Sequence, residues 1–391
     1  MDLADRLSPI KPSPTLAMGA RAKEMRAQGL DVISLATGEP DFPTPDHICL
    51  AATKAIVDGH HKYTAADGTP QLKEAIIRKF ERDSALDYRP PEIVASCGGK
   101  HALFNLAQAT LNPGDEVIIP APYWVSYPDI VLLAGAKPII VPTDRTTGFK
   151  MEPDQLRAAL TGKTKAVIIN NPSNPTGAVY TRQELLALAQ VALEREILIW
   201  SDEIYEKLVF EGSQAHCLAG LGPEFKDRVV VLNGVSKTYA MTGWRIGYLA
   251  GPEKIARAVA KIQSQSTSNP CAIAQVAAAA ALDGPSEEVE RMRIIFDRRR
   301  RLCLDLMTGL EVALDPPLGA FYIMPDFSAY LQGPVKNSTA LAEYILDKAQ
   351  VATVPGQAFG AEGYLRFSYA TSEDRIEEGL ARIKNALAQL I

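Results

Sequence analysis

The chain has 391 residues, which is long enough for two domains. Hydrophobic residues make up 47% of it and charged residues 22%, a balance typical of a soluble globular protein. The formal net charge of −5 argues against binding to nucleic acid or an anionic membrane, and the five scattered cysteines, which form no CxxC pair, argue against a zinc site or a disulfide framework.

The predicted elements fall into three parts of the chain. Residues 1–45 contain many prolines, which fix φ and remove a donor, so we expect an N-terminal arm with one helix at about residues 16–28. Residues 46–285 alternate short β-branched runs with helical stretches, which is typical of an α/β domain with a mostly parallel sheet covered by helices. Seven runs are the predicted strands: 93–95, 116–119, 138–141, 166–169, 197–200, 229–232 and 247–250.

Residues 286–391 have a different pattern and predict a smaller α+β domain, which the N-terminal arm joins in part. A long helix begins near residue 286, shorter strands follow at 319–323, 352–354 and 364–368, and a last helix begins at about residue 373. Four consecutive arginines at 298–301 lie in the long helix. They could bind phosphate, but nearby acidic residues favour a solvated helix face.

The first residues show no apolar signal region after a basic start. The longest smooth apolar stretch, at 271–282, is shorter than the roughly 20 residues that a membrane span needs. We therefore expect a cytoplasmic protein without membrane attachment.

Two predicted strands deliver polar side chains at their carboxyl ends, where ligands bind in such sheets. Asp202 follows the run at 197–200, and its carboxylate could keep a bound cation charged, although taken alone it is more typical of a helix N-cap. Asn174 lies in a proline-braced loop after the run at 166–169. Taken alone, that loop is simply a turn.

A lysine and an arginine follow the run at 229–232. Desolvation would make Lys237 a nucleophilic amine, and Arg245 lies in a glycine-rich loop that suits a phosphate, although a single lysine is most often a surface residue. Gly98 and Gly99 open a helix after another strand, where free N–H groups form a phosphate seat. A double glycine alone is weak evidence, and no histidine spacing, Walker loop or GxSxG motif competes with this set.

Taken together, these segments resemble the class I aminotransferases of fold type I, and most closely the bacterial aspartate aminotransferases of subgroup Ib. The segments are GGKHALF (98–104), PYW (122–124), NPSNPTG (171–177), SDEIY (201–205), SK (236–237), GWRIG (243–247) and RFSYA (366–370). The resemblance covers essentially the whole chain. It implies a seven-stranded large domain, a smaller domain and pyridoxal 5'-phosphate as the cofactor.

The resemblance also implies roles for individual residues. Lys237 would hold the cofactor as a Schiff base and move the substrate proton, and Asp202 would keep the pyridine nitrogen charged so that the ring accepts electrons. Tyr205, with Asn174, would bond the ring oxygen. The resemblance places Trp124 on the face of the ring. Around the phosphate it places Arg245, Gly98, Gly99, Lys100 and Ser236. It also implies a homodimer, in which Tyr63 reaches the phosphate of the neighbouring subunit.

The implied substrate site points to a dicarboxylic amino acid. Arg366 would clamp the α-carboxylate with a bidentate fork close to the Gly38 backbone. The substrate would also contact Trp124 and Asn174. Cations for the second carboxylate would come from Lys11 and Lys100, with Thr15 beside them.

Ping-pong transfer between aspartate and 2-oxoglutarate is therefore the expected reaction, with prephenate as a further acceptor. Two alternatives stay open on the same fold: an aminotransferase for aromatic amino acids or alanine, and a carbon–sulfur lyase. A ligand-sensing regulator is disfavoured, because residues 1–45 are too short and too rich in proline for a DNA-binding segment.

Overall fold

A computed structural model describes residues 3–10 and 14–390, and the side chains of all of these except 14–16. The α-helices are α1 (Pro14–Ala27), α2 (Asp46–Val57), α3 (Pro70–Ser84), α4 (Gly99–Thr110), α5 (Ser126–Leu133), α6 (Pro153–Ala159), α7 (Arg182–Glu194), α8 (Glu253–Ser266), α9 (Ala272–Asp283), α10 (Glu287–Met307), α11 (Ser338–Ala349) and α12 (Glu373–Leu387). The strands are β1 (Ile33–Ser34), β2 (Ile93–Ser96), β3 (Glu116–Ala121), β4 (Lys137–Pro142), β5 (Thr164–Asn170), β6 (Leu198–Asp202), β7 (Val229–Gly234), β8 (Gly247–Ala250), β9 (Tyr322–Ile323), β10 (Val351–Ala352), β11 (Val354–Pro355) and β12 (Leu365–Ser368).

The main sheet has seven strands in the order β2-β8-β7-β6-β5-β3-β4. Strands β3 to β7 run parallel to one another, whereas β8 pairs antiparallel with both of its neighbours. Each of the seven runs predicted from the sequence supplies one strand, so the prediction of a mostly parallel seven-stranded sheet is confirmed. Its parallel strands end together, and this edge is where polar side chains collect.

Side chains alternate between the two faces of this sheet, because successive residues of a strand point in opposite directions. In β3, Ile118 packs into the cluster that contains Phe80 of α3. Its neighbours Val117 and Ile119 pack on the other face, with Leu106 of α4. Helices therefore cover both faces, which explains why the inner strands such as β7 are apolar over most of their length.

A second hydrophobic core joins the beginning of the chain to its end. It contains Ala22 of α1, Phe296 of α10, Ile345 of α11 and Ile383 of α12. Strand β1 pairs in parallel with β10, and β9, β12 and β11 form a small antiparallel sheet. The residues before α2 thus pack with residues more than 300 positions later in the sequence.

Two short strand predictions need correction. The sequence predicts one strand at 352–354, but the chain changes partner at the buried Thr353, so β10 and β11 belong to different sheets. The run at 319–323 forms a strand only at its end, because Ala320 has a left-handed backbone with a φ of +59°.

The expectation for the arginines at 298–301 is half wrong. Arg298 and Arg301 are exposed, as a solvated helix face requires. Arg299, however, is buried in a two-bond pair with Asp41, at 2.7 and 2.9 Å, and Arg300 is fully buried against Asp297. Both guanidinium groups are therefore paired with carboxylates, and Arg299 also packs against Phe296 of the second core.

Within the part of the chain that the structure describes, no helix is both long enough and apolar enough to cross a membrane.

Candidate active site

A cavity of about 670 Å³ opens where β5, β6 and β7 end. Asn170 and Asp202, the last residues of β5 and β6, line it together with Asn233, the next-to-last residue of β7. Residues of the second core close the other side, where Tyr322 and Arg366 contribute to the wall. The cavity therefore lies between the main sheet and the second core, as expected for a ligand site in such a sheet.

Lys237 enters this cavity from the turn after β7. Its amine donates a hydrogen bond to the Gly38 carbonyl, 199 residues earlier in the chain. Burial lowers the pKa of the Lys237 amine to about 8, and the charge of Glu39 acts in the opposite direction. Near pH 8 a substantial fraction of the Lys237 amines is therefore neutral, and a neutral amine has the nucleophilic character expected from the sequence.

Asp202 lies at the end of β6 and is held by a tyrosine that the sequence analysis did not identify. The Tyr127 hydroxyl donates to Asp202 Oδ2 at 2.6 Å, and the Ile204 backbone N–H donates to Oδ1 at 3.3 Å. Burial raises the pKa of the Asp202 carboxyl, whereas the Tyr127 hydrogen bond and the Lys237 charge lower it. A cation bound against this carboxyl would lower the pKa further and fix its charge.

The turn before α4 forms an anion cradle, which we define as residues 97–100 together with Arg245. Gly98 is the N-cap of α4 with a φ of +93°, and a Cβ there would lie 2.2 Å from Arg245 Nη2. A Cβ on Gly247 would lie 2.2 Å from the Gly99 backbone nitrogen. The backbone contact requires glycine at position 247, and the positive φ favours it at position 98. The free N–H groups of the helix end lie beside a guanidinium.

Arg245 is exposed and folded onto this cradle. It donates to the Thr242 carbonyl at 2.8 Å and to the Cys97 carbonyl at 3.4 Å. Lys100 contributes a second cation, and its pKa is lowered by burial and by Arg245. Position 234 is a glycine, and a Cβ there would lie 3.0 Å from Gly247 Cα.

Arg366 is only 3% exposed and lies in the cavity wall opposite the sheet. Its guanidinium donates to Asn174 Oδ1 and to the Ala36 carbonyl, both at 2.9 Å, and lies 4.3 Å from the centre of the Tyr322 ring. These partners are neutral, and no carboxylate pairs with Arg366 among residues 3–10 and 14–390. A buried guanidinium whose partners are neutral is suited to pairing with an anion.

Aromatic side chains complete the cavity. Tyr205 and Tyr322 share a hydrogen bond of 2.9 Å between their hydroxyls. Trp124 packs edge-on against Tyr127, and the Lys100 ammonium lies 4.9 Å from the centre of the Trp124 ring. Lys100 therefore lies between the anion cradle and an aromatic wall.

Most residues predicted from the sequence meet at this cavity. Those that line it are Gly38, Gly99, Lys100, Trp124, Asn174, Asp202, Tyr205, Ser236, Lys237, Arg245 and Arg366. Gly98 lies directly behind it as the N-cap of α4. Tyr63 does not reach it within one chain, since its side chain is 90% exposed. Lys11 falls outside the described residues, and Thr15 lies in α1 with its side chain undescribed.

Tyr127 and Tyr322 are two of the site residues that sequence reasoning missed. Tyr127 stands three positions after Trp124, so a helix beginning there would have placed both on one face. Tyr322 lies in β9, and its partners Tyr205 and Arg366 are distant in sequence, so no local signal identifies it.

Comparison with known proteins shows the family to which the chain belongs. The sequence profile of aminotransferase class I and II matches residues 30–383. The chain belongs to this family. The resemblance to class I aminotransferases that the sequence motifs carry is therefore confirmed, and the cavity described above is the candidate active site of an aminotransferase.

Individual relatives of this aminotransferase match it from end to end. The aspartate aminotransferase of Geobacillus stearothermophilus is 50% identical and covers 98% of both chains, and the aspartate/prephenate aminotransferase of Cereibacter sphaeroides is 50% identical and covers 99% of both. The solved structure of aspartate aminotransferase from Thermus thermophilus with maleate superimposes with a TM-score of 0.94, at 43% identity, over 99% of this chain and 100% of that one.

Proposed function

We propose that this aminotransferase uses pyridoxal 5'-phosphate to transfer amino groups between aspartate and 2-oxoglutarate, with prephenate as a further acceptor. The observation that carries the proposal is the meeting of a buried amine and an unpaired buried guanidinium, Lys237 and Arg366, in one cavity. The names of the relatives, aspartate and aspartate/prephenate aminotransferases, support this choice over an aromatic- or alanine-specific enzyme and over a lyase.

The residues present fit this cofactor. The cradle begins at Gly98, whose positive φ disfavours a side chain, and it offers free N–H groups beside Arg245, which suits a phosphate. The Asn233 side-chain nitrogen, buried at the cavity, has no hydrogen-bond partner in the described part of the chain. Pyridoxal phosphate, when bound, supplies a ring that takes up the electron pair of a broken Cα–H bond.

Each side chain would then have a distinct task. Lys237 would hold the cofactor through its amine, and once displaced by substrate it would accept the Cα proton and return it to the cofactor carbon. Asp202 would keep the ring nitrogen charged, and Tyr127 keeps that carboxylate oriented. Tyr205 and Asn174 would donate hydrogen bonds to the ring oxygen, and Trp124 would cover one ring face. Gly98, Gly99, Lys100 and Ser236 would join Arg245 around the phosphate.

The substrate would lie between the main sheet, which carries Lys237, and the small sheet, which carries Arg366. Arg366 would bind the α-carboxylate through two parallel hydrogen bonds beside the Gly38 backbone. Trp124 and Asn174 would also contact the substrate. For the second carboxylate we propose Lys100, together with Lys11 and Thr15. Maleate, with which the Thermus thermophilus enzyme was solved, is likewise a dicarboxylate.

A homodimer with shared active sites is part of the proposal. Tyr63 is exposed, and α2 just before it also presents exposed apolar side chains, with Leu50 67% and Val57 81% exposed. Such a surface favours burial against a second copy, which would carry Tyr63 to the phosphate of the neighbouring site. We also propose a large domain at 46–285, a small domain at 286–391 that includes part of the arm at 1–45, and a cytoplasmic location.

The test is to load the purified protein with pyridoxal phosphate and to measure transfer from aspartate to 2-oxoglutarate, oxaloacetate and prephenate. Aspartate with 2-oxoglutarate should react fastest, and Lys237→Ala should abolish turnover while leaving the fold unchanged by circular dichroism. Substantial turnover in the alanine variant, or a preference for an aromatic donor, would contradict the proposal.

A further inference from the structure

His101 stands directly behind the anion cradle. It occupies the third residue of α4, which begins at Gly99 with Gly98 as its N-cap. Its ring Nδ1 lies 3.3 Å from the backbone nitrogen of Cys97, the residue before the N-cap. A side chain at this helical position that accepts from the backbone ahead of the helix resembles half of a capping box, a role that glutamine or glutamate normally fills.

The other ring nitrogen faces a buried amide network whose orientation is fixed by backbone carbonyls. Gln263 of α8 is fully buried, and its Nε2 donates to the carbonyl oxygens of Ala66 and Ala95. Those carbonyls only accept, so the atom that faces them must be the amide nitrogen. Its Oε1 therefore points the other way, where the Ser96 hydroxyl donates to it at 2.6 Å.

Asn105 transmits this orientation to the histidine. The Asn105 atom that lies 3.2 Å from Gln263 Oε1 must be Nδ2, because an oxygen there would meet another acceptor. The same Nδ2 lies 3.2 Å from His101 Nε2. Both ring nitrogens of His101 therefore face donors, a backbone N–H on one side and an amide N–H on the other.

The protonation state of the ring follows from this arrangement. The neutral tautomer that carries its proton on Nε2 accepts the Cys97 N–H at Nδ1 and leaves only the Asn105 N–H without an acceptor on the ring, whereas an imidazolium donates at both nitrogens and accepts from neither neighbour. The side chains that face the ring, Asn105 and Gln263, are uncharged. Two cations belong to the same cradle: Arg245 donates to the Cys97 carbonyl, and Lys100 precedes His101 in α4.

We propose that His101 is a positioning residue that holds the cradle in its anion-binding shape only while its imidazole is neutral, so that acid loosens the grip on the phosphate. The inference rests on the proposed role of the cradle in binding the cofactor phosphate. When the ring is protonated, its Nδ1–H faces the Cys97 N–H and its Nε2–H faces the Asn105 amide N–H, so the hydrogen bond that holds Cys97 is lost and this end of the turn can move. Burial lowers the pKa of His101 from its ordinary 6.5, in the direction that this geometry requires.

The test is the rate of cofactor release. Full-length protein loaded with pyridoxal phosphate is transferred to buffers from neutral to acidic pH with a scavenger for the free aldehyde, and the loss of bound cofactor is followed by absorbance. The variants are His101→Gln, which keeps an acceptor for the Cys97 N–H but cannot take a proton, and His101→Ala, which keeps neither. His216→Gln is the matched control, since it removes a histidine that does not line the cavity.

At neutral pH the unsubstituted protein and the glutamine variant should release cofactor equally slowly, and the alanine variant roughly fivefold faster, the effect of about one lost hydrogen bond. Below pH 6.5 release should accelerate in the unsubstituted protein and in the control, but much less in the glutamine variant. The same acceleration in the glutamine variant, or an unchanged neutral rate in the alanine variant, would overturn the inference. Failure of the proposed function would look different, because no variant would then retain cofactor at any pH.

Discussion

Replacement of Arg366 separates substrate binding from stability. Each hydrogen bond to a charged group contributes about 1.5–3 kcal/mol, so Arg366→Lys, which keeps the charge but loses one of two parallel bonds, should lower kcat/KM for aspartate by roughly 10- to 100-fold. Arg366→Gln, which removes the charge, should cost about 2–5 kcal/mol, or roughly 30-fold to several thousand-fold.

The free energy of unfolding without substrate should change far less. In the free protein the guanidinium makes two hydrogen bonds of 2.9 Å but has no carboxylate partner among the described residues. The lost hydrogen bonds are therefore offset by relief from burying a charge. Urea unfolding measures this directly, beside initial rates with aspartate.

Arg375→Lys is the matched control for these variants. Arg375 forms an exposed pair with Asp31 at 3.0 Å, and exposed pairs contribute about 0–1 kcal/mol. The control should leave both kcat/KM and stability unchanged. If Arg366→Gln keeps kcat/KM within threefold of the unsubstituted enzyme, or loses activity only in proportion to its stability, the assignment of this residue to the substrate carboxylate fails.

Three further predictions concern the site and its surroundings. Burial raises the pKa of the Glu203 carboxyl from 4.5 to about 7, so the folded protein holds this proton more tightly than the unfolded chain does. The protein should therefore lose about 3 kcal/mol of stability as pH rises from about 4.5 through 7. Urea unfolding of Glu203→Gln between pH 5 and 8 should lack this decline, and an identical decline in the variant would refute the prediction. Tyr127→Phe removes the 2.6 Å hydrogen bond that lowers the pKa of Asp202, so the acidic limb of the kcat/KM profile should move to higher pH, whereas an unmoved limb would separate the pair from catalysis. Gly98→Ala places a Cβ against Arg245 at a φ of +93° and should weaken cofactor affinity more than tenfold by equilibrium dialysis, with Gly114→Ala, also at positive φ but in open space, as the control that retains it.

The sequence predicts the main sheet well because its signals are local. Each β-branched run is bounded by glycine, proline or polar residues, and the carboxyl ends of parallel strands share one edge by geometry alone. Asp202 and Asn170 meet there because β5 and β6 pair in register, with these two residues opposite each other. The cofactor and substrate roles of individual residues came from the family resemblance, since a single lysine or aspartate has several ordinary explanations.

Features that depend on distant partners were not predictable in the same way. The burial of Arg299 depends on Asp41, 258 residues away, and a local run of arginines next to acidic residues favours the surface instead. Tyr322 joins the site only because β9 brings it against Tyr205 and Arg366. The break at Thr353 arises because the residues before it pair with β1 and the residues after it pair with β12.

The attachment point of the cofactor tests the central claim most directly. The protein is loaded with pyridoxal phosphate, treated with borohydride to make the imine bond permanent, digested, and mapped by peptide mass spectrometry. The label should be found on Lys237, the buried amine whose pKa is lowered to about 8, and aspartate added before the borohydride should prevent labelling. A label on Lys100 or on any other lysine, or no label at all, would contradict the account.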